Sequence, residues 1–166
     1  MKRLVLLTIV SFLIVPLNAR PARAQAQAGF DKLKTLVGEW EGQNSEGVRA
    51  TATYQLVSGG TALMETSSTE GESSMVTMYT LDGERLALTH YCAANNQPRM
   101  QTSPLTDVPQ TFDFRFTGGT NLENGSAPHM DGLVVAFEDA DHLTQRWTWK
   151  DAGNEQISVF RFTRKR

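Results

Sequence analysis

From Glu39 to Arg166 apolar and polar residues alternate in short runs, each closed by a turn signal, a period of two that belongs to half-buried strands. The turn signals are Gly59-Gly60, Glu70-Gly71, Asp82-Gly83, Asn95-Asn96, Asp139-Ala140-Asp141 and Asp151-Ala152-Gly153-Asn154. The alternation predicts ten strands: Glu39 to Gln43, Val48 to Ser58, Thr61 to Thr69, Glu72 to Leu81, Glu84 to Ala93, Gln97 to Ser103, Thr111 to Thr117, Gly132 to Glu138, His142 to Lys150 and Glu155 to Thr163. Short strands joined in succession by tight turns predict an all-β fold, an up-and-down antiparallel β-barrel, because closure is what removes the unpaired edges of such a sheet. Ahead of the strands, Phe30, Leu33, Leu36 and Val37 fall at helical spacing with Asp31 near the start and Gly38 as a stop. They predict one short N-terminal helix that plugs an open end or covers an edge. The long gap from Gly118 to Asp131, rich in Gly, Asn, Ser and Pro, reads as a mobile loop.

Residues opposite each other in a ladder point to the same side, so each hairpin sorts its residues into two faces. Pairing Lys150 with Glu155 gathers Leu143, Trp147, Trp149, Phe160 and Phe162 on one face and Arg146, Lys150, Glu155 and Arg161 on the other. The aromatic face belongs inside. It also carries Gln145, Gln156 and Ser158, which a wet cavity leaves hydrated but a dry core has to satisfy. The Asp82-Gly83 turn pairs Tyr79 with Leu86, Thr77 with Leu88 and Met75 with His90, and carrying that register through Asn95-Asn96 sets Cys92 against Arg99 and His90 against Gln101. All of these then face the interior, with Met64 completing the lining and Leu56, Leu63 and Met78 outside. A single bulge would exchange the faces, burying Val76, Met78, Ala87, Tyr91 and Met100 instead.

The first residues bear on compartment. Met1-Lys2-Arg3 is a basic start, Leu4 to Leu17 is an apolar run, and Ala22-Arg23-Ala24 is a small-x-small cleavage signal. This predicts a secretory signal peptide over residues 1–24, cut after Ala24 or Ala26, and a single barrel domain over 25–166. The apolar run is broken by Pro16, Asn18 and Arg20, shorter than the roughly 20 apolar residues of a membrane span. No integral membrane segment is expected after its removal, and the protein is expected to be exported, to a periplasmic or extracellular space. Loss of Lys2, Arg3, Arg20 and Arg23 leaves twelve basic against eighteen acidic residues, a net charge near −6. An acidic domain repels phosphate backbones, so nucleic acid is not an expected partner. Cys92 is the only cysteine, which excludes an intramolecular disulfide.

With the hairpin facing inward, Arg99 is a candidate hook for a carboxylate or other anion, since a charge inside a barrel needs a partner. His90 and Gln101 add directional hydrogen bonds, and Met75, Tyr79, Leu88, Cys92, Trp147 and Phe160 supply apolar lining of the kind small-molecule sites have. The competing arrangement is a packed polar core in which Arg99 pairs with a wall residue such as Glu65. His90, His129 and His142 lack the paired spacing of a metal site, and no serine-hydrolase elbow, phosphate loop, dinucleotide fingerprint or zinc-protease motif is present. No catalytic or metal-ligating residue is assigned. His90 and Cys92 share a strand face, but an orienting group and an oxyanion donor for a nucleophilic pair have no obvious source.

Leu36-Val37-Gly38-Glu39-Trp40-Glu41-Gly42, a helix running into a Gly-x-Trp-x-Gly strand, resembles the opening of the calycin-type barrels: lipocalins, fatty-acid-binding proteins and nitrobindin-like haem barrels. The segment from Leu81-Asp82-Gly83 through His90-Tyr91-Cys92 to Asn96-Gln97-Pro98-Arg99-Met100 is similar to uncharacterised exported bacterial proteins grouped with the lipocalin-like barrels in a domain-of-unknown-function class. The first resemblance implies a barrel fold across the whole chain after the leader, and the second implies no assigned activity. The nitrobindin branch implies haem held by a late histidine, but the third glycine of the extended Gly-x-Trp-x-Gly-x-Gly pattern is replaced after Gly42-Gln43, and His142 points outward in the register above. The expectation is therefore an exported barrel binding a small, partly apolar ligand, with an anionic group as the candidate partner of Arg99, and with no cofactor. The alternatives are a haem-dependent or His/Cys catalytic barrel and a ligandless interaction module.

Overall fold

The computed structural model describes residues 22–122 and 127–166. The elements are α1 (Ala22–Lys34), β1 (Gly38–Asn44), β2 (Arg49–Val57), β3 (Ala62–Thr69), β4 (Met75–Asp82), β5 (Arg85–Tyr91), β6 (Gln97–Gln101), β7 (Thr111–Thr120), β8 (His129–Phe137), β9 (His142–Asp151) and β10 (Asn154–Arg164). Each strand pairs antiparallel with its neighbours in sequence, and β1 pairs with β10, so the sheet closes as a ten-strand barrel. The predicted leader, residues 1–24, falls almost wholly outside the described residues.

All ten strands arise where the alternation places them, with two extensions. β7 runs on to Thr120 and β8 begins at His129, so both ends of the expected loop from Gly118 to Asp131 are sheet, and residues 123–126 lie outside the described part. The helix also begins eight residues earlier than the Phe30 stripe suggests. Its Ala- and Gln-rich first half has good helix propensity, and Ala26, Gly29, Phe30 and Leu33 form one buried stripe.

That stripe closes one end of the barrel. Gly29 stands so near the wall that an added Cβ would come within 2.7 Å of Leu105 Cδ1 and 3.3 Å of the Phe112 ring. Burying Phe30 and Leu33 stabilises the end by roughly 1.5–3 kcal/mol each. A tight turn follows the helix, and Trp40 enters the core with its indole N–H donating to Leu36 O at 2.8 Å. Arg164 covers the Trp40 ring from outside, 4.2 Å from its centroid, and donates to the carbonyls of Val37 at 2.9 Å and Thr35 at 2.7 Å. Arg164 thus ties the helix exit to the seam between β1 and β10. Gly42 sits at the same seam, where a Cβ would run into the Arg161 backbone.

Candidate functional site

The end opposite α1 holds a cavity of about 450 Å³ open to solvent. Its mouth is formed by the turns after β1, β3 and β5 and by the β9–β10 hairpin. That hairpin has the predicted register, Lys150 opposite Glu155, because Ala152 and Gly153 both take positive φ (47° and 85°) in a two-residue turn whose twist matches the strands. Trp147, Trp149, Phe160 and Phe162 accordingly line the cavity, with Gln145, Gln156 and Ser158 among them.

The β4–β5 hairpin keeps the predicted faces but not the predicted partners. Gly83 takes φ 60° in the loop, Asp82 pairs with Arg85, and every pairing moves by two, giving Tyr79↔Leu88 and Thr77↔His90. A shift of two preserves facing, so Met75, Tyr79, His90 and Cys92 all point inward, with Met75, His90 and Cys92 on the cavity wall and Tyr79 deeper.

Arg99 and Gln101 are a correction. The turn after β5 is not Asn95-Asn96 but the three-residue loop Ala93-Ala94-Asn95, closed by Cys92 N–H to Asn96 O at 3.0 Å and Asn95 N–H to Cys92 O at 3.1 Å, with Asn95 at φ 62°. This offsets β6 by an odd number of residues, pairing Leu88 with Met100 and Thr89 with Arg99. Met100 is therefore buried, Arg99 lies exposed on the outer wall, and Gln101 donates there to Asp82 at 2.7 Å. The β2–β3 loop has a similar effect: Leu63 pairs with Tyr79 inside, and Met64 pairs with Met78 outside. His129, expected in a loop, is buried on β8 with its ring 4.4 Å from that of Phe116, and its Nδ1–H donates to Ala127 O at 2.6 Å.

Below the cavity lies a polar cluster that the alternation did not single out. Glu65 is fully buried; its carboxylate accepts from the Tyr79 hydroxyl at 2.6 Å and from Gln145 Nε2 at 2.9 Å. The same Gln145 nitrogen donates to the Tyr54 hydroxyl at 2.7 Å, and Trp147 Nε1–H donates to Gln145 Oε1 at 3.1 Å, so both ends of the amide are engaged. Burial raises the Glu65 carboxyl above its ordinary range even though these donors pull it down, and burial together with the Glu65 charge pushes Tyr54 and Tyr79 well up. The signal that could have found Glu65 is its register: it stands opposite Tyr54 on one side and Thr77 on the other.

Beside this cluster, Thr77 Oγ1 meets His90 Nδ1 at 2.9 Å, and the His90 ring lies 4.6 Å from that of Trp147. His90 is 1% exposed, lines the cavity, and its Nε2 has no hydrogen-bond partner in the protein. Burial lowers its pKa from 6.5 to about 4, so the ring is neutral near pH 7. Among the described residues no group of three or more His, Cys, Asp and Glu side chains is gathered in metal-binding geometry. His142, the late histidine of the haem reading, is exposed on the outer wall, as its register predicts, and held by Asp139, 2.8 Å away.

No family model and no curated protein matches this chain. A protein of unknown function from the DUF3598 family of Nostoc punctiforme PCC 73102 is similar in structure, with a TM-score of 0.47 and 14% sequence identity, over 80% of this chain and 49% of that one. The chain thus spans about half the length of that protein.

Proposed function

We propose that the barrel binds a small, partly apolar molecule in its open cavity, with His90 Nε2 giving or accepting the hydrogen bond that orients it. One observation carries this reading. A nearly fully buried imidazole whose second nitrogen is left without a partner costs about 1–3 kcal/mol, a cost that a bound polar atom or ordered water removes. The cavity's size and its mixture of aromatic walls with a few polar groups are those of small-molecule sites, which fall in the range of about 300–1,000 Å³. Helix-closed at one end and open at the other, the barrel also supports the calycin-like reading of the Gly-x-Trp segment.

Nile red, a neutral dye that brightens in apolar surroundings, tests the site. Wild type is expected to bind it, and Ser158→Trp, which places an indole at the mouth from an exposed position, is expected to block it while leaving the melting temperature unchanged. Equal dye binding by both would place the dye elsewhere and remove the support. Export after removal of the leader completes the proposal and is checked by fractionating cells expressing the full chain; a protein retained whole in the cytoplasm would overturn that part.

A further inference from the structure

The charged side chains that line the cavity are of one sign. Glu46, in the turn between β1 and β2, and Glu72, in the turn between β3 and β4, stand exposed at the mouth. Among the described residues no lysine or arginine joins the lining. Of the cations at this end, Arg49, Arg99, Arg146 and Arg161 are exposed and stand outside the lining, and Lys150 lies 3.7 Å from Asp131. A third carboxyl, Glu65, sits one side chain behind the cavity wall, reached through Gln145, and its partners there are the neutral donors Tyr79 and Gln145.

The wall between floor and mouth is aromatic. Trp147, Trp149, Phe160 and Phe162 all border the space, and the faces of such rings carry negative charge density that attracts an organic cation. A carboxylate ligand would enter past two like charges and find no basic group to receive it. The His90 ring, neutral near pH 7, offers an anion no counter-charge either. Lining charge and aromatic wall therefore agree on the sign of the preferred guest, and the neutral imidazole does not oppose it.

Resting on the reading of the barrel as a small-molecule binder, we propose that the cavity selects an organic cation, a protonated amine on an apolar body, over its neutral and anionic counterparts. The apolar body lies along the aromatic wall and the ammonium stays near the mouth, shared between Glu46 and Glu72 and partly hydrated. Glu65 is not its direct partner, because it is fully buried behind Gln145 and is not part of the cavity wall.

Three matched probes decide the matter: 2-(1-naphthyl)ethylamine, 2-(1-naphthyl)ethanol and 3-(1-naphthyl)propionate, titrated calorimetrically into the full chain at pH 7. The amine is expected to bind about threefold to tenfold more tightly than the alcohol, the scale of partly exposed ion pairs and ring contacts, and the carboxylate most weakly. Raising the salt concentration is expected to narrow the gap between amine and alcohol. In the Glu46→Gln/Glu72→Gln double variant, both positions being exposed, the amine's advantage is expected to shrink to that of the ring contacts while the alcohol's affinity stays the same. Carboxylate binding as tight as amine binding, or an amine advantage untouched by salt and by the double variant, overturns the charge preference alone. If none of the three probes binds, the small-molecule reading itself fails.

Discussion

The Thr77 hydroxyl occupies Nδ1 of His90 at 2.9 Å, and this leaves Nε2 as the one nitrogen on that ring without a hydrogen-bond partner. The bond fixes the ring against Trp147 and keeps its orientation independent of ligand. It also keeps a titratable group in a place where charging it is expensive.

That cost gives a pH dependence with a definite sign. The folded-state pKa of His90 lies below the unfolded value, about 4 against 6.5, so between these the unfolded chain takes up a proton that the folded chain refuses. The stability is fully present above about pH 6.5 and falls as the pH drops toward 4, by about 3 kcal/mol at most from this group. Glu65 works in the opposite direction, because its raised pKa favours the protonated, folded form in acid. Urea denaturation of wild type and His90→Gln across pH 4 to 7 separates the two: the variant is expected to lose less stability on acidification.

Glu65→Ala is expected to destabilise the protein by about 2–4 kcal/mol, because it strands the buried Tyr79 hydroxyl and one N–H of Gln145 and leaves a cavity. Glu65→Gln is expected to cost less, since one acceptor oxygen remains. Equal losses in urea midpoints would mean that volume and not hydrogen bonding sets the effect.

Arg164→Ala is expected to cost about 1–3 kcal/mol through loss of the contact over Trp40 and of the bonds to the Thr35 and Val37 carbonyls. Arg164→Lys recovers only part, since an ammonium cannot span both carbonyls and cover the ring. Thermal melting of the two variants checks the order.

At Ala152 the backbone takes φ 47°, a left-handed conformation that alanine adopts at a cost. Ala152→Asn, which supplies the favoured Asn-Gly pair for this turn, is expected to stabilise the protein by about 0.5–1 kcal/mol, read as a rise in the urea midpoint with unchanged slope.

The contrast between hairpins shows what was legible in the sequence. Asp151-Ala152-Gly153-Asn154 announced its two-residue turn, and the register and the aromatic wall followed from it. Asp82-Gly83 misplaced its partners by an even number and still gave the right faces. Around Asn95 a three-residue loop took the place of a two-residue one, and that odd step put Met100 inside and Arg99 outside. Loop length, which local composition leaves ambiguous, thus decided the fate of the expected anion hook. The floor was hidden for a different reason: Gln145 reaches Tyr54 across 91 positions, a contact that exists only once the sheet has closed.

Because β1 is sealed to β10, the two strands farthest apart in sequence must find each other before the Trp40 end is complete. Each β hairpin can zip from a neighbouring turn, whereas this ladder joins the ends of the sheet and closes the longest stretch of chain, so it is expected to form last. Until then the sheet has two bare edges able to template pairing with another molecule, so the hazard of self-association belongs to the slow final step of folding and vanishes with the native seam.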